Sequence, residues 1–316
     1  MRRLFGWVGK IVRVDLTEGK ITLEDTMRYA GKFIGGRGIN AKVAWDEIPP
    51  SIGPFDPENR LIAMTGPLSG TIGSGVGRTQ FGTIAPQVYP EPRFTRSSMG
   101  GPWAARLKYA GYDGLIIQGR SEKPVYLWIN DDEIQIVDAK SIWGLDTFEA
   151  QKTIMKKYGE DVSVITIGPA GENLSRIAII GNETENAAGQ GGFGAVMGSK
   201  KLKAVAVKGS GGVEVADRKR LLEVTRRIDK VLGRKETKLE PFKGKYKRKI
   251  TACQGCPHPC AQMLINVPGR YGVHTGKVTC VESRWLREGW GIPPVSYTHL
   301  RAHETRHDLV CRLLLE

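Results

Sequence analysis

Leu61-Ile-Ala-Met-Thr-Gly66-Pro67 is an apolar run that ends in Gly-Pro, and Val164-Ile-Thr-Ile-Gly168-Pro169 repeats this pattern later in the chain. In both stretches a polar loop follows, then a Gly-Gly pair, a helical segment and a strand that ends in glycine. The pairs are Gly100-Gly101 and Gly191-Gly192. Because the same order of elements occurs twice, the sequence predicts an internal duplication. The expected fold class is α+β, with two similar sheets related by a pseudo-twofold axis and their loops meeting between them.

The size of the chain sets its domain organisation. It has 316 residues, a formal net charge of +14 and five cysteines. We expect a cofactor domain over residues 1–210 and the start of a helical domain over 211–294. No apolar run reaches the roughly 20 residues of a membrane helix, and the first residues lack the apolar core of a signal peptide. We therefore expect a cytoplasmic protein with reduced thiols.

Three of the cysteines lie together in Thr251-Ala-Cys-Gln-Gly-Cys-Pro-His-Pro-Cys260. Prolines break any helix there and favour a compact turn. The C-x2-C-x3-C spacing of Cys253, Cys256 and Cys260 predicts one soft metal centre, and thiolates suit both zinc and iron–sulfur clusters. The zinc alternative adds His258 as a fourth ligand in a basic nucleic-acid-binding module. No basic motif with interleaved aromatic residues is present, which makes nucleic acid the weaker alternative.

Two glycine-rich loops are candidate ligand sites. Gly189-Gln-Gly-Gly-Phe-Gly194 matches G-x-G-x-x-G, but the strand predicted at Arg176–Ile180 ends too far upstream for a dinucleotide fingerprint. The helix start in this loop still predicts free N–H groups for a phosphate. Gly73-Ser-Gly-Val-Gly77 precedes Arg78, which is either a surface charge or a ligand contact.

The rest of the chain gives weaker signals for single elements. Apolar alternation around turn residues predicts hairpins over residues 9–24 and 123–137. Helices are expected over residues 24–33, ending at Gly35-Gly36-Arg37-Gly38, and over residues 39–48, 146–158 and 216–239.

Longer motifs within the repeat carry a family resemblance. They are Gly168-Pro-Ala-Gly-Glu-Asn173, the stretch Asn186-Ala-Ala-Gly-Gln-Gly-Gly-Phe-Gly-Ala-Val-Met-Gly-Ser-Lys200 and Tyr109-Ala-Gly-Tyr-Asp-Gly114. Together with the cysteine loop, they make the chain resemble the tungsten-containing aldehyde:ferredoxin oxidoreductase family. The resemblance covers residues 5 to about 290, roughly the N-terminal half of a family member.

The resemblance implies a saddle of two six-stranded sheets that carries two pterin-dithiolene cofactors and one tungsten or molybdenum ion. Arg78 matches an arginine that bridges pterin and cluster. Ser98 and Ala187 match residues whose backbone carbonyls hold the magnesium ion between the pterin phosphates. Asn186 and Gln190 stand where the aldehyde enzymes have arginines. The cofactor-binding positions implied in these loops are Arg78, Ser98, Gly100, Gly101, Asn186, Ala187, Gly189 and Gln190.

By the same resemblance, Cys253, Cys256 and Cys260 match three of the four ligands to a 4Fe-4S cluster, and the fourth lies beyond this chain. Cys280 has two interpretations. It is either a buried structural thiol or, as in the tungsten subunit of benzoyl-CoA reductases, a thiolate on the metal. Under the second interpretation, Glu282 is the candidate for moving protons.

The implied function is an oxidoreductase that passes electrons between an aldehyde, carboxylate or acyl-CoA substrate and ferredoxin or a similar low-potential carrier. The basic stretch Arg218–Lys249 is either a solvated helix face or an attraction for an acidic carrier. As further partners we expect either other copies of this chain, in a homo-oligomer, or electron-transfer subunits. Residues 295–316 resemble a translated sequencing adapter, so we expect no function for them and an inactive fragment. The histidines and cysteine of this tail are His299, His303, His307 and Cys311.

Overall fold

The computed structural model describes residues 5–232, 247–257, 261–269 and 272–278. Its first two sheets contain six strands each. Sheet A is built from β1 Lys10–Asp15, β2 Lys20–Asp25, β3 Leu61–Met64, β4 Thr79–Ala85, β5 Arg93–Met99 and β6 Gly114–Gln118. Sheet B is built from β7 Val125–Asn130, β8 Glu133–Asp138, β9 Ser163–Thr166, β10 Ile180–Asn182, β11 Ala187–Ala188 and β12 Leu202–Lys208.

The two sheets have the same topology. Sheet A runs β2-β1-β6-β3-β4-β5, and sheet B runs β8-β7-β12-β9-β10-β11, so each strand has an equivalent six strands later. The parallel neighbours are β1 with β6 and β7 with β12, and all other pairs are antiparallel. The predicted pair of pseudo-equivalent sheets is confirmed. The duplication also includes the hairpins β1–β2 and β7–β8, which were not part of the repeat predicted from the sequence.

Seven helices accompany the strands in the described ranges: α1 Met27–Ala30, α2 Gly36–Glu47, α3 Trp103–Tyr109, α4 Thr147–Tyr158, α5 Pro169–Glu172, α6 Phe193–Ser199 and α7 Arg218–Leu232. The apolar side of α2 covers the outer face of sheet A. In the same way, α4 covers the outer face of sheet B. Between the sheets lie α3 and α6, so the architecture is layered and one core joins both sheets.

The central layer is exchanged between the two halves of the repeat. Trp103 of α3 lies in the first half, yet its Nε1 donates a hydrogen bond of 3.3 Å to the carbonyl oxygen of Val205 in sheet B. Phe193 of α6 lies in the second half, yet its ring packs edge-on against Phe81 of sheet A at 6.3 Å between centroids. Burial of each such aromatic side chain stabilises the fold by about 1.5–3 kcal/mol. Each sheet is therefore completed by the helix of the other half.

A fully buried lysine ties the end of α6 to loops of the first half. Lys200 Nζ donates hydrogen bonds to the carbonyl oxygens of Pro57 at 3.1 Å and Gly119 at 3.2 Å. Burial, together with the positive charges of Arg60 and Arg120, lowers the pKa of Lys200 to about 7.

Both predicted hairpins are confirmed, as is the helix over residues 146–158. α4 begins after Asp146, whose Oδ1 accepts hydrogen bonds of 2.9 Å from the backbone N–H groups of Phe148 and Glu149. This is the usual chemistry of a helix N-cap, in which a short acceptor satisfies the first free N–H groups.

Two predictions near the N-terminus are wrong. Instead of a helix over residues 24–33, β2 continues to Asp25 and only the single turn of α1 follows. The glycines 35–38 do not end a helix, since α2 begins at Gly36. Gly35 adopts φ +124°, and a Cβ there would lie 2.5 Å from the ring of Trp7. Glycine is needed here for its backbone conformation and for close packing.

The predicted polar loops are also wrong in part. In the first half, the loop between Gly-Pro and Gly-Gly is the long β4–β5 hairpin. In the second half, the same segment holds α5 and the short strands β10 and β11. Glycine and proline at both ends of these segments concealed the alternation of β-branched and aromatic residues within them.

Beyond residue 211 the described residues contain α7 and a three-stranded antiparallel sheet, where the sequence predicted the start of a helical domain. The strands are β13 Lys247–Thr251, β14 Ala261–Gly269 and β15 Gly272–Val278. The boundary near residue 211 stays a prediction. None of the helices in the described ranges has the length and apolar content needed to cross a membrane.

Candidate functional site

A cavity of about 780 Å³ opens between the equivalent edge strands of the two sheets. Residues 94–98 of β5 form one side, and Ala187, Gly189 and Gln190 of β11 and the following loop form the other. Four predicted cofactor residues, Ser98 among them, therefore line one cavity. Edge strands present unpaired backbone N–H and C=O groups, which makes them suitable walls for a polar ligand.

Arginine side chains border the β5 side of this cavity. Arg78 is exposed, and its Nη1 donates a hydrogen bond of 3.4 Å to the carbonyl oxygen of Ser98. The Oγ of Ser98 accepts a hydrogen bond of 2.8 Å from Gln80 Nε2. Arg37 donates its Nε to Gln80 Oε1 at 3.3 Å. The predicted ligand residue Arg78 therefore lies next to Ser98.

The Gly-Gly pair of the first half is held by an asparagine of the second half. Asn182 is 2 % exposed, and its Nδ2 donates a hydrogen bond of 2.8 Å to the carbonyl oxygen of Gly100. Its Oδ1 accepts hydrogen bonds of 3.1 Å from the backbone N–H groups of Thr184 and Asn186. A Cβ on Gly101 would overlap Asn182 Nδ2. These glycines thus allow the two halves to approach each other at the cavity.

The thiol loop lies against this junction. Cys253 and Cys256 are both half-buried and are not joined to each other by a disulfide. The Sγ of Cys253 is 3.6 Å from the Oδ1 of Asn186, within hydrogen-bond distance for sulfur. A Cβ on Gly100 would overlap Cys253 Sγ and lie 3.1 Å from Asn186 Oδ1. The missing side chain at residue 100 therefore makes room for a thiol from a distant part of the chain.

The glycine-rich loop before Arg78 receives the other side of the thiol loop. The N–H of Gly75 donates a hydrogen bond of 2.6 Å to the carbonyl oxygen of Gly255. A Cβ on Gly77 would lie 2.7 Å from the carbonyl oxygen of Gln254. Gln254 Nε2 also donates to the hydroxyl of Tyr109 at 3.2 Å. These glycines therefore leave room for the backbone of the cysteine loop.

Several predicted residues lie outside the described residues: Cys260, Cys280, Glu282, His258 and residues 295–316. Their roles stay predictions. Within the described ranges, no group of three or more histidine, cysteine, aspartate or glutamate residues is placed to hold a metal ion. Only two of the three predicted cluster ligands belong to these ranges.

The sequence predicted free N–H groups for a phosphate at the start of α6, and this prediction is wrong for two N–H groups of the loop. Gly191 N–H donates to Gln87 Oε1, and Gly194 N–H donates to the carbonyl oxygen of Ala178 at 3.0 Å. A Cβ on Gly194 would overlap the carbonyl oxygen of Ile179. These glycines pack against backbone. The strand predicted over residues 176–180 is β10, which begins at Ile180 and ends at Asn182.

Sequence reasoning missed two residues of the site. Arg96 is exposed, lines the cavity and forms no ion pair with the described residues. Recognising Arg93-Phe-Thr-Arg-Ser-Ser-Met99 as an edge strand would have singled out this arginine. Asn182 has no such signal, since its role depends on a contact with a residue far away in the sequence.

Comparison with known proteins defines the class. The model of the aldehyde ferredoxin oxidoreductase N-terminal domain matches residues 11–209, which contain both sheets and the cavity. The chain belongs to the aldehyde ferredoxin oxidoreductase family.

Individual relatives give the same result. The chain is 39 % identical over 276 residues to the tungsten-containing aldehyde ferredoxin oxidoreductase of Pyrococcus furiosus, covering 87 % of this chain and 43 % of that protein. The same enzyme of Pyrococcus abyssi is 39 % identical over 274 residues, covering 86 % and 42 %. The aliphatic sulfonate oxidoreductase, WOR-like subunit, of Pyrococcus furiosus is 36 % identical over 250 residues, covering 72 % and 39 %.

Among solved structures, the fold is similar to the active-site complex BamBC of benzoyl coenzyme A reductase with 1,5-dienoyl-CoA. The TM-score is 0.80 at 29 % identity, and the match covers 99 % of this chain and 57 % of that chain. The chain spans about two fifths of the length of the curated relatives that it matches.

Proposed function

We propose that this chain is the cofactor-binding part of a tungstopterin and iron–sulfur oxidoreductase. The reaction passes electrons between an aldehyde, carboxylate or acyl-CoA substrate and ferredoxin or a similar low-potential carrier. Membership of the family supports this class of reaction. The names of the relatives, which include aldehyde, sulfonate and benzoyl-CoA enzymes, leave the substrate open.

One observation carries the proposal: the thiol loop contacts the cavity wall. Cys253 lies against Gly100, directly after β5, and against Asn186, directly before β11. A redox centre held by this loop would lie beside a ligand held by both edge strands. Electron transfer between two centres requires such proximity, and the family's chemistry belongs to its cofactors.

The residues around the cavity fit an anionic, hydrogen-bonding cofactor such as a pterin with phosphate groups. Arg78 and Arg96 supply positive charge, and guanidinium groups bind phosphate well. Ser98, Gln190 and the strand backbones supply hydrogen-bonding groups. The magnesium ion at the carbonyl oxygens of Ser98 and Ala187 remains part of the proposal, supported by the position of both residues on the same cavity.

The thiol loop fits an iron–sulfur cluster by its donor set. Cys253 and Cys256 are half-buried and are joined by a turn, in which the N–H of Cys256 donates a hydrogen bond of 3.0 Å to the carbonyl oxygen of Cys253. Cys260 would be the third ligand, and the fourth would come from the length that this chain lacks relative to its relatives. The bound metal and cluster supply the electron transfer, while the protein binds and orients them.

The residues described here would hold the reaction partners in place. Arg78 would orient an anionic group beside Ser98, since its guanidinium already donates to that backbone. Asn182 would keep the Gly100 loop fixed while cofactor and thiol loop contact it. Buried, satisfied hydrogen bonds of this kind favour a single geometry, which catalysis requires.

For the substrate end of the site, we propose Cys280 and Glu282 as the reactive side chains. A Cys280 thiolate on the metal would favour acyl-CoA or aromatic reduction over aldehyde oxidation, and Glu282 would move protons. The test is Cys280→Ala in the full-length protein. We expect activity to vanish while the cluster signal persists; unchanged activity would leave Cys280 as core packing and favour aldehyde oxidation.

Metal analysis of the full-length holoprotein tests the main proposal. We expect tungsten or molybdenum together with iron and acid-labile sulfide, and a brown protein with an iron–sulfur electron paramagnetic resonance signal after reduction. Zinc alone in a colourless protein would contradict the proposal and favour the zinc-bound nucleic-acid-binding alternative.

A further inference from the structure

A second cavity, of about 450 Å³, lies on the outer side of sheet B beside α4. One face of α4 supplies Phe148, Gln151, Lys152, Met155 and Lys156, and Glu183 comes directly after β10. None of these residues lines the cofactor cavity between the edge strands. The volume is within the usual range for a small-molecule site, about 300–1,000 Å³.

The cavity exists because the two halves of the repeat differ here. In the first half, α2 has 12 residues and lies over β4, which has 7. Asn40, the fifth residue of α2, donates Nδ2 to the carbonyl oxygen of Gln80 at 2.9 Å. In the second half, α4 also has 12 residues, but β10, the equivalent of β4, has only 3. The shorter strand leaves the surface next to α4 uncovered.

Gln151 is the fifth residue of α4 and occupies the helix position of Asn40. The residue is 5 % exposed and lines the cavity. Its amide is not among the fully buried side-chain groups that lack a partner in the described residues, so it is hydrated when the cavity is empty. A ligand in the cavity would replace that water.

The rim of this cavity carries positive charge. Lys152 and Lys156 are exposed, stand one helical turn apart and form no ion pair with the described residues. Like charges at this spacing repel each other. An anion between the two ammonium groups would remove the repulsion and gain charge-assisted hydrogen bonds.

Of the two acidic residues of the cavity, Glu183 is turned away from the lysines at the rim. Glu183 Oε1 accepts from Ser163 Oγ at 2.7 Å, and its Oε2 accepts from Val164 N–H at 2.9 Å, so both oxygens already have partners. Burial raises the pKa of Glu183. Glu160 is exposed at the rim and is one carboxylate against two ammonium groups. The balance favours a ligand with a single negative charge.

We propose that this cavity binds a small monocarboxylate with an apolar body. The carboxylate lies between Lys152 and Lys156, and the Gln151 amide donates to it. The apolar body packs on Phe148, which is 37 % exposed, and on the half-buried Met155. The proposal does not depend on the oxidoreductase function, since it uses no cofactor and no residue of the first cavity.

Calorimetric titration of the 316-residue chain with benzoate tests the proposal. Benzoate is the anionic probe, and benzyl alcohol is the neutral probe of similar shape. We expect benzoate to bind and the double substitution Lys152→Gln/Lys156→Gln to weaken it about tenfold or more, because two charge-assisted hydrogen bonds are lost. The matched control, Lys219→Gln/Lys230→Gln on α7, removes the same charge elsewhere and should leave the affinity unchanged.

A second pair of variants separates the two cavities. Gln151→Leu should weaken benzoate binding several-fold, because the amide donor is lost, whereas Gln190→Leu in the first cavity should have no effect. The proposal is overturned if benzoate and benzyl alcohol bind equally well, if both lysine double variants bind alike, or if no benzoate binds at millimolar concentration.

Discussion

Asn182 Nδ2 donates a hydrogen bond of 2.8 Å to the carbonyl oxygen of Gly100, so a buried side chain of sheet B holds the loop that follows the edge strand of sheet A. The same side chain accepts two backbone N–H groups of its own turn. This side chain therefore helps to fix the two walls of the first cavity relative to each other.

Asn182→Ala should lower the free energy of unfolding by about 3 kcal/mol, because it leaves several buried backbone groups without partners. Urea denaturation of the chain measures this change. The control is Asn173→Ala. It removes an exposed amide that donates a hydrogen bond of 2.9 Å to the carbonyl oxygen of Pro169. We expect the control substitution to lower the free energy of unfolding by no more than about 0.5 kcal/mol. Equal effects of the two substitutions would contradict the role of Asn182.

Gly100→Ala should displace the thiol loop, because the added methyl group would overlap Cys253 Sγ. In the holoprotein we expect most of the iron to be lost while the circular dichroism of the two sheets is retained. Gly181→Ala is the matched control, since a Cβ there has no atom within 4 Å. Full iron content in Gly100→Ala would show that the loop docks differently.

Substitution of Asn186 should change the reduction potential of the cluster, provided that the proposed function holds. Its Oδ1 lies 3.6 Å from Cys253 Sγ and accepts from the thiol. On a cluster-bound thiolate that proton is absent, so the negative end of the amide dipole would face the sulfur and lower the potential. Asn186→Leu should therefore raise the potential, by roughly 20–60 mV, where about 59 mV is a factor of ten for one electron. A redox titration followed by electron paramagnetic resonance measures this shift. An unchanged potential with an intact cluster would exclude the contact in the holoprotein.

Lys200 should make the stability of the chain depend on pH. Its pKa in the folded state is about 7, and that of an unfolded lysine is about 10.4. Between these values the unfolded state binds more protons, so stability rises with pH by up to about 1.4 kcal/mol per unit. Below pH 7 the lysine is protonated in both states and adds no slope.

The measurement is urea denaturation of the chain between pH 6 and pH 10. Lys200→Met should lose this rise in stability above pH 7, although it also removes one donor each from the carbonyl oxygens of Pro57 and Gly119. Lys219→Met, a substitution on the exposed face of α7, should keep the wild-type slope. The same slope in all three proteins would rule out Lys200 as its source.

Much of the fold followed from short-range patterns. The hairpins β1–β2 and β7–β8 and the helix α4 were predicted because alternation, turn residues and an N-cap act within a few residues. The β4–β5 hairpin was missed because glycine and proline surround it. Because this hairpin was not predicted, Arg96 was not recognised as a residue of the cavity wall.

The sequence predicted which residues belong to the candidate site, but not which of them contact each other. Cys253 and Cys256 were singled out by their spacing, and Ser98 and Gln190 by the resemblance. That Gly100 leaves room for Cys253 depends on packing between residues far apart in the chain. Local propensity contains no information on such contacts, so the sequence could not show that several of these glycines accommodate backbone or a thiol.

The exchange of α3 and α6 between the sheets also affects biosynthesis. Trp103 cannot be buried against sheet B until β12, which ends at Lys208, has left the ribosome. At about 5–20 residues per second, this delay is about 5–20 s, during which apolar surface of the first half is exposed. The nascent chain would therefore be a substrate for chaperones, and slow codons just before β12 would lengthen its exposure to aggregation.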